Sequence, residues 1–144
     1  MEALFKLADN IRKLSIGELF VLTFSDQETE NYVLFLNREL QLRMGILADG
    51  SLLPFYSEIS QEHYGKPNKR WTLYDTGYFY KSFDLSGVSE DHFLIEADGV
   101  KPNRDWTKYR GGNVLGLTDE NKELLVQEIQ PLMVKILKEK ILKL

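Results

Sequence analysis

Residues 118 to 143 constrain the fold more than any other part of this chain. Leu125, Ile129, Leu132 and Ile136, with Leu137 and Ile141 offset, recur every three or four positions and form one wide apolar stripe, as a helix backing a core does. Thr118 stands at the N-cap position. Asp119, Glu120 and Glu123 occupy the first turns and Lys135, Lys138, Lys140 and Lys143 the last, so side-chain charge opposes the macrodipole at both ends. Pro131 falls inside the stripe, where it removes a backbone donor and crowds the preceding turn; this predicts a kink or break near Glu128 to Gln130. Unbroken, the helix would reach ~37 Å. That exceeds what a domain of 144 residues needs as its own backing, and the surplus is expected to meet a neighbour.

Upstream, Leu4, Leu7, Ala8, Ile11 and Leu14 predict an amphipathic helix over 2–14, with Gly17 marking its end. Leu19 to Phe24 is apolar and reads equally as strand or helix. Val33, Leu36, Leu40 and Met44 predict a helix from Glu28 to Met44, stopped by Gly45. Asp49-Gly50 between Ile46-Leu47 and Leu52-Leu53 predicts a hairpin turn, and Pro54 excludes a long central strand. Residues 60 to 71 form the main polar loop, with Gly65, Pro67 and Asn68 as breakers. Leu73, Phe79 and Phe83 stand at helix-like spacing after a turn at Thr76-Gly77, with Asp75 or Thr76 as the cap. Tyr78 and Tyr80 then face away from Phe79, toward solvent. Residues 85–88 and 93–97 flank a turn and predict an antiparallel hairpin, and 98–113 form a second loop rich in Gly, Asn and charge. Helices and hairpins are segregated, with no βαβ alternation. The expected fold is therefore α+β: one domain, 1–144, with a small, mainly antiparallel sheet backed by the helices near 28–44 and 119–143.

Composition narrows the chemistry. Eighteen basic against 22 acidic residues leave a net charge of −4, without the global field that draws a protein to nucleic acid. Cysteine is absent, which removes disulfides, thiolate nucleophiles and zinc–cysteine sites. Charged residues interrupt the apolar positions near the start, and no apolar run approaches the ~20 residues of a membrane span, so a soluble protein is expected. His63 and His92 lie beside Glu62 and Asp91 in separate predicted turns, without the ligand spacing of a metal site; solvated turn residues are expected. Asp26, Glu28 and Glu30 precede a helix, where its dipole favours them. Gly111-Gly112 lacks the Lys-Ser/Thr of a phosphate loop, and no Gly-x-Ser-x-Gly elbow occurs. The reading is of a protein that is not an enzyme and needs no metal or cofactor. Met44, Met133 and the aromatics after Leu73 are assigned to the core.

Two loops concentrate basic and aromatic residues: Tyr64, Lys66, Lys69, Arg70 and Trp71 in the first, Arg104, Trp106, Lys108, Tyr109 and Arg110 in the second. Such residues clamp single strands or anchor protein interfaces. The acidic net charge favours the protein interface. Tyr64, Arg70, Trp71, Trp106, Tyr109 and Arg110 are the candidate partner-binding residues. As loop-tip residues, Trp106 and Arg110 are expected to touch little core.

Leu73, Thr76-Gly77 and Ser82 resemble the block "leucine, threonine or serine, glycine, aromatic or leucine, then serine" of the phage virion morphogenesis and tail-completion proteins, small subunits of the head–tail junction or tail end. Val114-Leu115-Gly116-Leu117-Thr118-Asp119, leading into the last helix, resembles the ending of the same proteins. Together the two cover roughly residues 71 to 144. Trp106 and Tyr109 stand where that family commonly carries a histidine-x-x-glycine step. Gly45-Ile46 and Gly50 before the block bring the chain nearer to uncharacterised proteins of Bacteroidetes phages and prophages. The resemblance implies a structural virion protein of the neck or tail, made in the host cytoplasm. It also implies a homo-oligomeric ring that contacts portal, connector or tail subunits, with neither membrane nor nucleic acid as partner. The alternative is a small nucleic-acid-binding or regulatory protein using the basic, aromatic loops.

Overall fold

The computed structural model describes residues 1–13 and 15–142; Leu14 and Lys143, both assigned above to helices, lie outside the described residues. The architecture is α+β. Helices α1 (Glu2–Lys13), α2 (Ile16–Phe24) and α3 (Gln27–Phe35) open the chain, and α3 continues through a π-helical segment (Leu36–Gln41) into a 3-10 turn (Leu42–Met44). Then come α4 (Glu58–Tyr64), α5 (Tyr78–Lys81), strands β1 (Asp84–Ser86), β2 (Leu94–Glu96), β3 (Val100–Lys101) and β4 (Arg104–Asp105), and α6 (Asp119–Leu142). In place of one sheet there are two antiparallel ribbons. β1 pairs with β2 in the register Leu85 opposite Ile95, and β3 with β4 in the register Lys101 opposite Arg104. The expected 85–97 hairpin is the first of them.

Side-chain caps set most boundaries. Ser15 Oγ accepts from the Glu18 amide at 3.0 Å, Asp26 Oδ2 from Thr29 at 3.2 Å and Ser57 Oγ from Ser60 at 3.1 Å. Gly17 therefore does not end the first helix. It lies in the first turn of α2, where a Cβ would stand 2.6 Å from Glu90 Cβ, so the close approach requires glycine. Leu19–Phe24 is helical. Gly45 (φ 72°) ends the third helical rod as expected, and the Asp49-Gly50 turn is closed by a single Ile46–Leu52 bridge. The supposed 60–71 loop is helical up to Tyr64. α4 buries none of its residues and so left no apolar period in the sequence. The second loop, too, is structured, as the β3–β4 ribbon followed by tight turns over Trp106–Gly112.

Two apolar clusters make the core. One holds Leu34, Leu42, Leu47, Leu53, Leu73, Phe79, Tyr80, Phe83 and Val114; the other holds Phe24, Val33, Leu36, Leu85, Leu117, Leu125 and Ile129. Ile95 packs against both. Leu73, Phe79 and Phe83 are buried together, although only 78–81 is helical. Tyr80 is buried, contrary to expectation, and its O–H donates to the Thr72 carbonyl at 2.5 Å; Tyr78 is exposed. Met44 is also misassigned by its spacing, being 64% exposed, whereas Met133 packs on the second cluster. The π-helical segment explains this. Its wider turn breaks the 3.6-residue period, so Leu40 turns outward and Asn37, Gln41 and Leu42 turn in.

Asn37 and Gln41 are fully buried, and each pairs both its amide nitrogen and its oxygen. The Asn37 amide donates to the Val114 carbonyl (3.1 Å) and its oxygen accepts from Gly116 N–H (2.9 Å). The Gln41 amide donates to the Gly116 carbonyl (2.8 Å), and its oxygen accepts from Thr118 N–H (2.9 Å) and from Asn121 Nδ2 (2.8 Å). Two side chains thus pair with an irregular backbone much as a strand would, fixing the Val114–Thr118 segment and the start of α6. Thr118 caps that helix as expected, its Oγ1 accepting from the Asn121 amide at 3.2 Å. α6 is continuous through Pro131, which is exposed, so the expected break does not occur. Its far end meets the chain's own first two helices: Asn10 Nδ2 donates to the Ile141 carbonyl at 3.0 Å, and Lys140 pairs with Glu18 at 3.4 Å.

Candidate functional site

The two basic, aromatic loops meet. Their junction is an open cleft of about 500 Å³, lined by Tyr56, Tyr64, Trp71, Tyr74 and Trp106, with Lys66, Lys101, Arg104 and Asp75 among the polar groups. α4 and the strand-like pairing that follows it supply one wall. Tyr56 N–H donates to the Lys69 carbonyl at 3.1 Å and Trp71 N–H to the Pro54 carbonyl at 2.8 Å, which fixes Trp71 against Tyr56. The β3–β4 ribbon supplies the other wall. Asp105 Oδ1 accepts from the Thr107 amide (3.0 Å) and hydroxyl (2.7 Å), bonds that hold its carboxyl below the usual range and turn Trp106 toward the cleft.

Leu73 forms part of the floor with a left-handed backbone, φ 58°. A buried leucine in that conformation stores about 1–3 kcal/mol, which the surroundings must hold in place. Here the residue before it is pinned twice, Thr72 Oγ1 accepting from the Tyr74 amide at 3.2 Å and its carbonyl from Tyr80. Burial pushes the Tyr80 phenol well above its ordinary range, so this donor stays protonated. Of the expected caps, Thr76 Oγ1 accepts from the Tyr78 amide at 3.4 Å, Gly77 takes the N-cap position with φ 88°, and Asp75 instead reaches Lys101 at 4.0 Å.

Three of the six candidate residues line the cleft: Tyr64, Trp71 and Trp106. Tyr109 lies behind Trp106, edge to face at 5.9 Å. Arg70 and Arg110 point elsewhere. Arg70 donates to the Leu53 carbonyl at 2.8 Å and covers the Phe55 ring, and Arg110 donates to the Leu52 carbonyl at 3.4 Å. Trp71, Trp106 and Tyr109 are half-buried against the first cluster, so the expectation that Trp106 touches little core is wrong. Tyr56, Tyr74 and Lys101 were not singled out in the sequence. Tyr56 follows Phe55 outside any basic run, and nothing local marks it.

The remaining polar clusters are simpler. Asp91 Oδ1 and Ser89 Oγ both lie 2.8 Å from His92 Nδ1, three groups held together within one turn. His92 is exposed in that turn, while His63 is exposed on the last turn of α4. Among the described residues no group of three or more His, Asp or Glu is arranged to hold a metal ion, and no helix is long and apolar enough to cross a membrane. Compared with family models, curated proteins and solved structures, the chain matches none of them.

Proposed function

We propose that this chain is a structural subunit of a tailed-phage particle, located at the neck or tail end, made in the host cytoplasm and acting without catalysis through protein–protein contacts. Portal, connector or tail subunits and further copies of the chain in a ring are its proposed partners. One observation carries the reading. The two stretches that resemble the virion morphogenesis and tail-completion proteins, some 30 residues apart, pack into one cluster through Leu73, Phe79, Phe83 and Val114, and that cluster underlies the aromatic cleft. Aromatic and cationic side chains on a rigid, partly desolvated floor are what protein hot spots are made of. The alternative, a single strand held in the cleft, is less well served, because Arg104 Cζ already lies 4.9 Å from the Trp106 ring centroid, over the face a base would need.

Disruption of the gene in the phage or prophage that carries it tests the reading. Induced lysates are expected to contain filled heads and tails that fail to join, or tails of aberrant length, restored by a plasmid copy. Particles of normal form and infectivity would overturn it.

A further inference from the structure

Lys66, Lys101 and Arg104 line the cleft, and among the described residues only Lys101 has a carboxylate partner, Asp75. Arg104 sits over Trp106, and Lys66 Nζ lies 5.5 Å from the Tyr56 centroid. A cation resting on a ring still accepts a carboxylate, whereas a stacking base must displace it. The cleft therefore suits an acidic protein surface with an aromatic anchor.

The chain carries such a surface. α3 buries Thr29, Val33 and Leu34 and turns Glu28 and Phe35 outward; Phe35 is 42% exposed and its ring stacks at 6.2 Å on Tyr32, which is half-buried against the second cluster. Glu128 of α6 joins Glu28 and Tyr32 around a recess of about 100 Å³ that no cation lines. The cleft is built on the first apolar cluster. This acidic face backs onto the second, through Val33 and Ile129. Complementary surfaces on different parts of one chain make a head-to-tail contact, which forms a ring when its rotation closes.

We propose that the aromatic cleft of one copy receives the acidic α3 face of the next, with Lys66 and Arg104 meeting Glu28 and Glu128, and the exposed Phe35 as the aromatic anchor. The inference rests on the reading of the protein as an oligomeric structural subunit and names the contact.

Both tryptophans of the chain line the cleft, so intrinsic fluorescence reports its occupancy. The test uses the purified full chain, with mass from light scattering and tryptophan emission followed over concentration, at low salt and in about 1 M NaCl, where the screening length falls to about 3 Å. Mass and emission are expected to change together, and high salt to weaken association at least about tenfold, a loss of about 1.4 kcal/mol. Two variants, Lys66→Glu/Arg104→Glu and Glu28→Lys/Glu128→Lys, checked for native circular dichroism, should each remain monomeric. Their equimolar mixture should associate again, because the native cleft of one variant receives the native face of the other and the two reversed surfaces are themselves of opposite charge. Neutral variants, Lys66→Gln/Arg104→Gln and Glu28→Gln/Glu128→Gln, stand in for any charge reversal that does not fold. A wild-type chain that is monomeric throughout, variants that associate undiminished, or a mixture that stays monomeric would each overturn the contact. So would an oligo(dT) probe that shifts the emission of a monomeric chain. A monomer that is nevertheless found in particles defeats this contact alone; a self-associating chain absent from particles supports the contact and defeats the virion reading.

Discussion

Replacing Gln41 by alanine should cost this protein about 3–5 kcal/mol. Gln41 is fully buried and its side chain serves three groups: the Gly116 carbonyl, the Thr118 amide and the Asn121 side-chain amide. Alanine leaves all three without their partner, and each orphaned buried group costs about 1–3 kcal/mol. Water reaching the partly buried Gly116 carbonyl keeps the sum below its upper limit. Against a total of about 5–15 kcal/mol for a domain, the loss brings the chain near unfolding. Urea titration followed by circular dichroism, with tryptophan emission as a second probe, measures it, and an unchanged slope would show that only stability moved. Gln41→Glu keeps the acceptor for Thr118 and Asn121 but buries a carboxyl against the Gly116 carbonyl, so it should not rescue. A double-mutant cycle with Asn121→Ala should give a coupling of at least about 1 kcal/mol. A Gln41→Ala cost below about 1 kcal/mol would refute the claim that this amide holds the start of α6.

Two other predictions concern stability. Pro131→Ala restores a backbone donor within an uninterrupted helix and should raise stability by about 1–3 kcal/mol in the same titration, part of the gain being offset by a freer unfolded chain; no change would mean the helix already relaxes around the proline. The Glu30 carboxyl is raised by burial, then by its hydrogen bond to Asp84 and by the charge of Asp84. A raised carboxyl holds its proton more tightly when folded, so its contribution is favourable below the unfolded value of 4.5 and is lost as pH climbs through the folded one. Glu30→Gln should therefore stabilise at pH 7 by up to about 1 kcal/mol, since the pair is largely solvated, and the gain should disappear in melts at pH 4. A gain that persists at pH 4 would assign the effect to packing.

What could be read from the sequence was whatever repeats at short range. Thr118 with the acids behind it, the Leu125–Ile141 stripe, the Gly45 stop and the 85–97 hairpin are local patterns, and each has its counterpart in the fold. Met44 was placed wrongly because a π-helical turn has no compositional mark, and one such turn rotates every later residue. Asn37 and Gln41 left no signal, standing among polar neighbours such as Arg38, Glu39 and Arg43. Their partners lie 75 to 80 positions away, beyond any window of periodicity. α4 was invisible for the opposite reason: it buries nothing, and only Ser57 three residues before Ser60 announced it. The cleft was half legible. Each loop showed its tryptophan and its cations, but their meeting, and the contribution of Tyr56 and Tyr74 from outside both basic clusters, depend on tertiary packing that local chemistry does not encode.

The proposed virion role is tested most directly by the copy number of this protein in phage particles purified from cultures in which its gene is expressed, measured by mass spectrometry against isotope-labelled peptides and scaled to the major capsid protein. A structural subunit of the neck or tail end should be present at a constant number of several copies per particle, retained through density-gradient purification and high-salt washing. Absence from particles that remain infectious, or a copy number that falls with each wash, would contradict the central claim.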